Sequence, residues 1–248
     1  MSLLRSAFQK ITGNEFTDAS DEFLNWLLAS CPGMQHRGNI LCFGQAIQNL
    51  PSEDPIVEIG AHAGLSANII CYLLKKHGRK NPVISIDPWI VRGWDDGKEN
   101  VPEEYLFSLG SNPHVKRSDF AEFMMQSYIR NVKFFSAENL PFAFRMTSDT
   151  FFEKWNSGAI GKDIMGREMN SGGRISFVYI DGNHDYDFAK RDFVNADRHL
   201  VPGGFVLFDD SQRGSPFGCA KVAEEVKADE RYTLVAENPN LLFRKSRG

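Results

Sequence analysis

Two short acidic clusters late in the chain carry the residues best suited to chemistry: Asp181-Gly182-Asn183-His184 and Asp209-Asp210. Each closes a run of apolar residues, at 175–181 and 205–208. If those runs are neighbouring strands, three carboxylates converge on one rim. Close anions repel unless a cation binds between them or a proton is taken up. Hard oxygen donors in that number suit Mg²⁺, Mn²⁺ or Ca²⁺, with Asp181, Asp209 and Asp210 as ligands. His184 stands three residues past Asp181 on the same loop, placed to take a proton from a metal-bound hydroxyl. The plainer readings are an acid that only caps the next segment and a histidine that only decorates a surface loop.

A second candidate lies earlier. The run Glu58-Ile59-Gly60-Ala61-His62-Ala63-Gly64-Leu65-Ser66 has the glycines of a strand-to-helix turn against which a ligand can lie. A dinucleotide fingerprint reads GxGxxG, and His62 stands where its middle glycine belongs. No pyrophosphate could approach past that side chain, so the ligand is expected to lack one. Asp87, 29 residues beyond Glu58, ends the next apolar run. Its carboxylate can accept hydrogen bonds from both ribose hydroxyls of a nucleoside, or merely cap the turn before Pro88. Beside a glycine turn the nucleoside reading is the better one. Trp89 could then shield an adenine or ribose, although ordinary core packing suits it almost equally.

These residues need elements that bring strand ends together. Residues 1–50 read as a helical segment, with Phe23, Leu24, Leu27 and Leu28 at helical spacing after Asp18 and Ser20, and a second amphipathic stretch at 40–50. From residue 51 the period changes. Strands are expected at 55–59, 82–87, 142–147, 175–181 and 205–208, and a terminal hairpin at 232–237 and 241–245. Helices are expected at 66–77, 118–130, 149–155, 187–200 and 219–229, that at 187–200 ended by Pro202-Gly203-Gly204. Residues 156–173 hold five glycines and little apolar content, and read as a flexible loop or insertion. Such alternation demands an α/β fold: a Rossmann-like open, mostly parallel seven-stranded sheet with helices on both faces and an antiparallel C-terminal hairpin strand. Ligands then bind outside the carboxyl ends of the strands, where strand order reverses.

Composition narrows the function class. At 248 residues, 42% hydrophobic and 24% charged, the chain suits one soluble α/β domain. A net charge of -4 argues against a dedicated nucleic-acid partner. No run of 18 apolar residues suggests a membrane span, and Arg5, Gln9 and Lys10 interrupt any signal-peptide core. Cys31, Cys42, Cys71 and Cys219 are scattered, as expected of free, buried thiols in the cytoplasm.

In this order and at these strand ends, the motifs resemble the class I S-adenosylmethionine-dependent methyltransferases. More narrowly they resemble the group of the macrocin-type sugar O-methyltransferases, with its VEIGxxxGxS turn, IDGxH strand end, PGG and paired acids. Matching residues are Val57-Glu58-Ile59-Gly60, Gly64 and Ser66, Ile180-Asp181-Gly182-Asn183-His184, Pro202-Gly203-Gly204 and Asp209-Asp210. The resemblance spans roughly residues 50–245 and implies a methyltransferase domain over 51–248. It implies that Glu58, Gly60 and Gly64 line the methionine and ribose part of the cofactor, that Ser66 and Trp89 are also among the cofactor-binding residues, and that Asp87 binds the ribose. It also implies that Ser148 meets the adenine edge, that Asp181, Asp209 and Asp210 hold a divalent cation, Mg²⁺ foremost, and that His184 is the general base. The acceptor is then a small molecule, with a sugar hydroxyl or a catechol-type pair both fitting. One departure is the insertion at about 89–142. Its aromatic residues Trp94, Tyr105, Phe107, Phe120 and Phe123 are expected to cover the acceptor site or to bury in a homo-oligomer. Two other readings remain: a nicotinamide-dependent Rossmann oxidoreductase, and a non-catalytic nucleoside-binding member of the same fold.

Overall fold

The computed structural model describes residues 21–90, 106–109, 112–169 and 172–246. Asp18, Ser20, Trp94 and Tyr105 lie outside these residues, as does the side chain of Phe107. The first described helix, α1 (Glu22–Ser30), is capped by Asp21, whose Oδ1 accepts from the Leu24 N–H at 3.0 Å. Helix α2 (Arg37–Gln48) follows, capped through the His36 ring, and covers the second amphipathic stretch.

Strands β1 (Ile56–Ile59), β2 (Val83–Ile86) and β8 (Ile175–Ile180) are buried along their whole length, which explains their unbroken apolar runs. Between β1 and β2 runs α3 (Leu65–Lys76). After β2 come the backbone hairpin β3 (Leu106–Leu109) and β4 (Asn112–Lys116), then α4 (Arg117–Phe135), longer at both ends than the spacing suggests. Strand β5 (Phe142–Phe144) leads into α5 (Ser148–Ser157).

The glycine-rich stretch after α5 is not a structureless loop. It forms a small hairpin, β6 (Gly161–Lys162) with β7 (Glu168–Met169). Asp163 organises its turn by accepting from the backbone N–H groups of Met165 and Arg167 and from the Arg167 guanidinium. The Ile164 N–H then ties the hairpin to the Ala143 carbonyl at 2.9 Å. Glycine content hid a turn whose order comes from one buried carboxylate.

Helix α6 (Tyr186–Asp197) stops short of Leu200, and β9 (Leu200–Phe208) begins there. Pro202-Gly203-Gly204 therefore lies inside a strand instead of ending a helix. Gly203 has φ 82°, and the pairing with β8 shifts register between Ile175 and Phe177, so the motif makes an irregularity in the strand. Helix α7 (Gly218–Lys227) and the hairpin β10 (Tyr232–Glu237), β11 (Leu241–Lys245) complete the chain.

The seven-stranded sheet has the order β10-β11-β9-β8-β1-β2-β5. All pairs are parallel except β9 with β11 and β10 with β11. Order reverses between β1 and β8. Alternate strand residues face opposite layers. Val57, Ile59 and Val178 pack with Phe151, Trp155, Phe193 and Val222 of α5, α6 and α7. Ile56, Phe177 and Tyr179 pack with Leu27, Phe43 and Ile70 of α1, α2 and α3. The N-terminal helices thus share one core with the sheet. A third cluster sets Phe120, Met124 and Tyr128 of α4 against Ala61, Ala63, Ala67 and Trp89. The described part of the 89–142 segment therefore rests on the glycine turn, with Phe120 buried and Phe123 57% exposed. All four cysteines are free and buried, and no described helix is long and apolar enough to cross a membrane.

Phe43 joins α2 to β8, its ring meeting Tyr179 edge-on at 4.9 Å and Phe177 at 6.2 Å. Phe43→Ala should cost about 3–5 kcal/mol of folding stability in denaturant titrations. A loss below about 1 kcal/mol would show that α2 is not held by this packing.

Candidate active site

The ends of β1 and β8 meet through backbone. Gly60 has φ 91°, and a Cβ there would lie 1.9 Å from the Asp181 carbonyl oxygen. The Asp181 N–H donates to Ile59 O at 2.8 Å, and the Gly60 N–H to Ile86 O at 2.8 Å. Gly64, at φ 86°, starts α3, and its missing Cβ makes room for the Tyr128 ring at 3.0 Å. Both glycines thus serve close approach of protein to protein, which brings the glycine turn and the Asp181 loop to one edge.

Asp87 holds that turn. Its Oδ2 accepts from the N–H groups of Ala61 and His62, both at 2.9 Å, and its Oδ1 from that of Trp89 at 2.6 Å. Burial pushes the Asp87 carboxyl up, while the three backbone donors pull it down. The Trp89 ring nitrogen donates to His62 O at 2.8 Å, and its indole meets Tyr128 edge-on. Trp89 is 3% exposed, so it sits in the α4 cluster and presents no open face to a ligand. Among the described residues, His62, Trp89 and Asp210 are the non-glycine residues at positive φ, at 44°, 44° and 48°. All three lie at carboxyl ends of sheet strands, where strain gathers at sites that bind or react.

Glu58 and Ser66 lie one layer deeper. Glu58 is fully buried, accepting from the hydroxyls of Ser66 and of Ser85, the latter at 2.5 Å. Burial pushes Glu58 up to about 7. These residues support the turn from below. Ser148, at the start of α5, donates its hydroxyl to Asp192, and burial raises that acid to about 6.

The acid rim forms as the strand reading anticipates, because β8 and β9 are neighbours. Asp209 and Asp210 lie close enough to Asp181 for their charges to interact: that of Asp181 raises the affinity of Asp209 for a proton, and that of Asp210 does so for both Asp181 and Asp209. His184 Nε2 stands 3.5 Å from Asp210 Oδ2 and 4.0 Å from Asp181 Oδ1. Its ring packs on Phe217 at 4.7 Å, and its carbonyl accepts from the N–H of Gly218 at 2.8 Å, at the start of α7. Loss of water pushes Asp181 up to about 7, although 26% of its side chain still faces solvent. Burial and then the charge of Asp181 drive Asp209 upward.

Several residues that sequence reasoning missed hold this rim. Tyr179 donates to Asp181 Oδ2 at 2.9 Å. Its place two residues earlier on the same strand face was a usable signal. Asn39, on α2, and Asn240, in the β10–β11 turn, both donate to Asp209 Oδ1, at 2.5 and 2.6 Å. No local pattern announces them. Among the described residues, no group of three or more His, Cys, Asp or Glu is arranged to hold a metal ion. The expected cation site is thus present as donor chemistry but not as a formed cage.

A family profile described as a methyltransferase domain matches residues 57–211, which include the glycine turn, Asp87 and the acid rim. The chain belongs to that family. No curated protein sequence matches it. Among solved structures, the SAH-bound methyltransferase PaMTH1 of Podospora anserina is similar at a TM-score of 0.54 and 12% identity, over 99% of this chain and 95% of that one. A putative O-methyltransferase from Klebsiella pneumoniae gives 0.53 and 12%, over 99% and 96%. The O-methyltransferase TomG from Streptomyces achromogenes, solved with SAM, gives 0.52 and 11%, over 99% and 96%. At such identities the likeness is one of fold. This methyltransferase domain therefore has the class I architecture its motifs suggest, and the nicotinamide-dependent reading falls away.

Glu58 ties the site to pH. Folded, it keeps a proton up to about 7, whereas its ordinary value is 4.5. Between those values folding takes up a proton, so stability falls as pH rises through this window and levels off above it. Denaturant titrations from pH 4.5 to 8 should show the loss, on the order of 3 kcal/mol from this group, and Glu58→Gln should flatten it. An equal slope in the variant would assign the proton uptake elsewhere.

Proposed function

We propose that this methyltransferase moves the methyl group of S-adenosylmethionine to a hydroxyl oxygen of a small molecule or sugar, with His184 as the proton acceptor. The observation that carries this reading is the placing of His184 between Asp181 and Asp210, at the strand edge that also bears the glycine turn. The acceptor oxygen forms a bond to the methyl carbon as the carbon–sulfur bond breaks. Sulfur keeps the electron pair, and the departing product is S-adenosylhomocysteine. The hydroxyl proton passes to the histidine, whose positive charge the two flanking carboxylates then stabilise. Much of the rate comes from holding oxygen and methyl in line.

Asp87 suits the ribose end of the cofactor. Its carboxylate is oriented by three backbone donors, stays half-exposed, and keeps lone pairs for a hydroxyl. Gly60 and Gly64 shape the turn, with Glu58 and Ser66 beneath it and Trp89 hydrogen-bonded to it, while Ser148, at the start of α5, binds Asp192. A divalent cation on Asp181, Asp209 and Asp210 would lower the pKa of the acceptor hydroxyl. The metal-assisted form of the reaction rests on that donor set alone, and the steps above need no ion.

Calorimetry should show binding of S-adenosylhomocysteine, weakened by about 1.5–3 kcal/mol in Asp87→Ala. Absence of binding to the native protein would sink the cofactor assignment. His184→Gln should keep that affinity yet slow methyl transfer roughly 100-fold across a panel of hydroxyl acceptors. A variant with native turnover would remove His184 as the base. Loss of rate in EDTA, restored by Mg²⁺, supports the cation, whereas full rate in EDTA overturns the metal-assisted form alone.

A further inference from the structure

Asn39 and Asn240 come from opposite ends of the chain, 201 residues apart, and are 0% and 1% exposed. Asn39 Nδ2 reaches both Asp209 Oδ1, at 2.5 Å, and Tyr179 Oη, at 3.4 Å. Asn240 Nδ2 reaches Asp209 Oδ1, at 2.6 Å, and Asn39 Oδ1, at 3.0 Å. Asn240 Oδ1 accepts from the Ser211 N–H at 2.9 Å. An amide has two N–H donors, so both asparagines spend their full donor capacity here. Close docking makes this possible: a Cβ on Gly38 would lie 1.9 Å from the Asn238 carbonyl oxygen, which seats α2 against the hairpin turn.

A buried acid with two amide partners contributes less to stability than apolar side chains of equal volume would. What the arrangement provides is orientation. Both amides take the same oxygen of Asp209, leaving Oδ2 as the one not held by them. Asp209 lies beside Asp181 at the end of the paired strand, its N–H donating to Ile180 O at 2.9 Å, and Asp181 Oδ1 stands 4.0 Å from His184 Nε2. Tyr179, touched by Asn39, fixes the other oxygen of Asp181.

We propose that Asn39 and Asn240 are positioning residues: an amide clamp on Asp209 that sets the acid rim around His184 and makes α2 and the C-terminal hairpin parts of the reaction centre. The inference rests on the reading of that rim as the methyl-transfer site. Its readout is the pair of ring-nitrogen resonances of His184 in metal-free protein at one fixed pH, assigned by their loss in His184→Gln. Asn39→Leu and Asn240→Leu should each shift these resonances in the direction that Asp209→Asn shifts them. Affinity for S-adenosylhomocysteine should stay native, because the clamp's hydrogen bonds go to Asp209, Tyr179 and Ser211 and not to the glycine turn or Asp87. Native His184 resonances in both variants, with only a lowered melting temperature, would overturn the clamp and leave a structural hydrogen bond. If Asn39→Leu folds poorly, Asn39→Ser and Asn240→Leu decide by the same comparison. A native protein that binds no S-adenosylhomocysteine would sink the methyl-transfer reading while the resonance shifts still judge the clamp.

Discussion

At the carboxyl ends of β1 and β8 two backbones pass so closely that no side chain fits between Gly60 and the Asp181 carbonyl. Every later feature of the site depends on that contact. It lies where strand order reverses, the one place in an open sheet where two neighbouring loops diverge and leave a crevice. It sets Asp181 beside the glycine turn, and through the β8–β9 pairing it sets Asp209 and Asp210 beside Asp181. Asp87 then reinforces the turn from the other side with three backbone hydrogen bonds, which offset the cost of keeping His62 and Trp89 at positive φ.

The cost of this arrangement is electrostatic. Glu58, Asp181 and Asp209 are all driven upward, chiefly by loss of water. A core built only for stability would avoid such groups. Here each buried carboxylate is given donors: two serine hydroxyls on Glu58, a tyrosine hydroxyl on Asp181, and two amides on Asp209. The result is a set of carboxyl groups held rigidly at one edge, as a site requires when charge must develop and be met without rearrangement.

The first two described helices illustrate how such a site recruits remote chain. They would pass for an appendage to the sheet, yet Phe43 packs on β8 and Asn39 reaches Asp209. Likewise α4 is part of the glycine turn's support, with Tyr128 filling the space that Gly64 leaves. Packing, hydrogen bonding and the site geometry are one structure at this edge.

The amino-acid sequence by itself determined the parallel sheet, the terminal hairpin and the residues at the strand ends. Those features are local: a short buried apolar run stopped by glycine or aspartate can be read without knowing its neighbours. The sequence put Asp181, His184, Asp209 and Asp210 on one rim only on condition that their strands be neighbours, and the β8–β9 pairing meets that condition. The tertiary structure alone decided what each group is bonded to. Glu58 and Ser66 turn to each other beneath the turn, Trp89 points into the α4 cluster, and Ser148 gives its hydroxyl to Asp192. Asn39 and Asn240 close on Asp209 across the length of the chain. Glycine content made 156–173 look slack, although Asp163 ties its turn. Hydrogen-bond partners and burial are set by which surfaces meet, and long-range packing leaves no periodic mark on the residues it brings together.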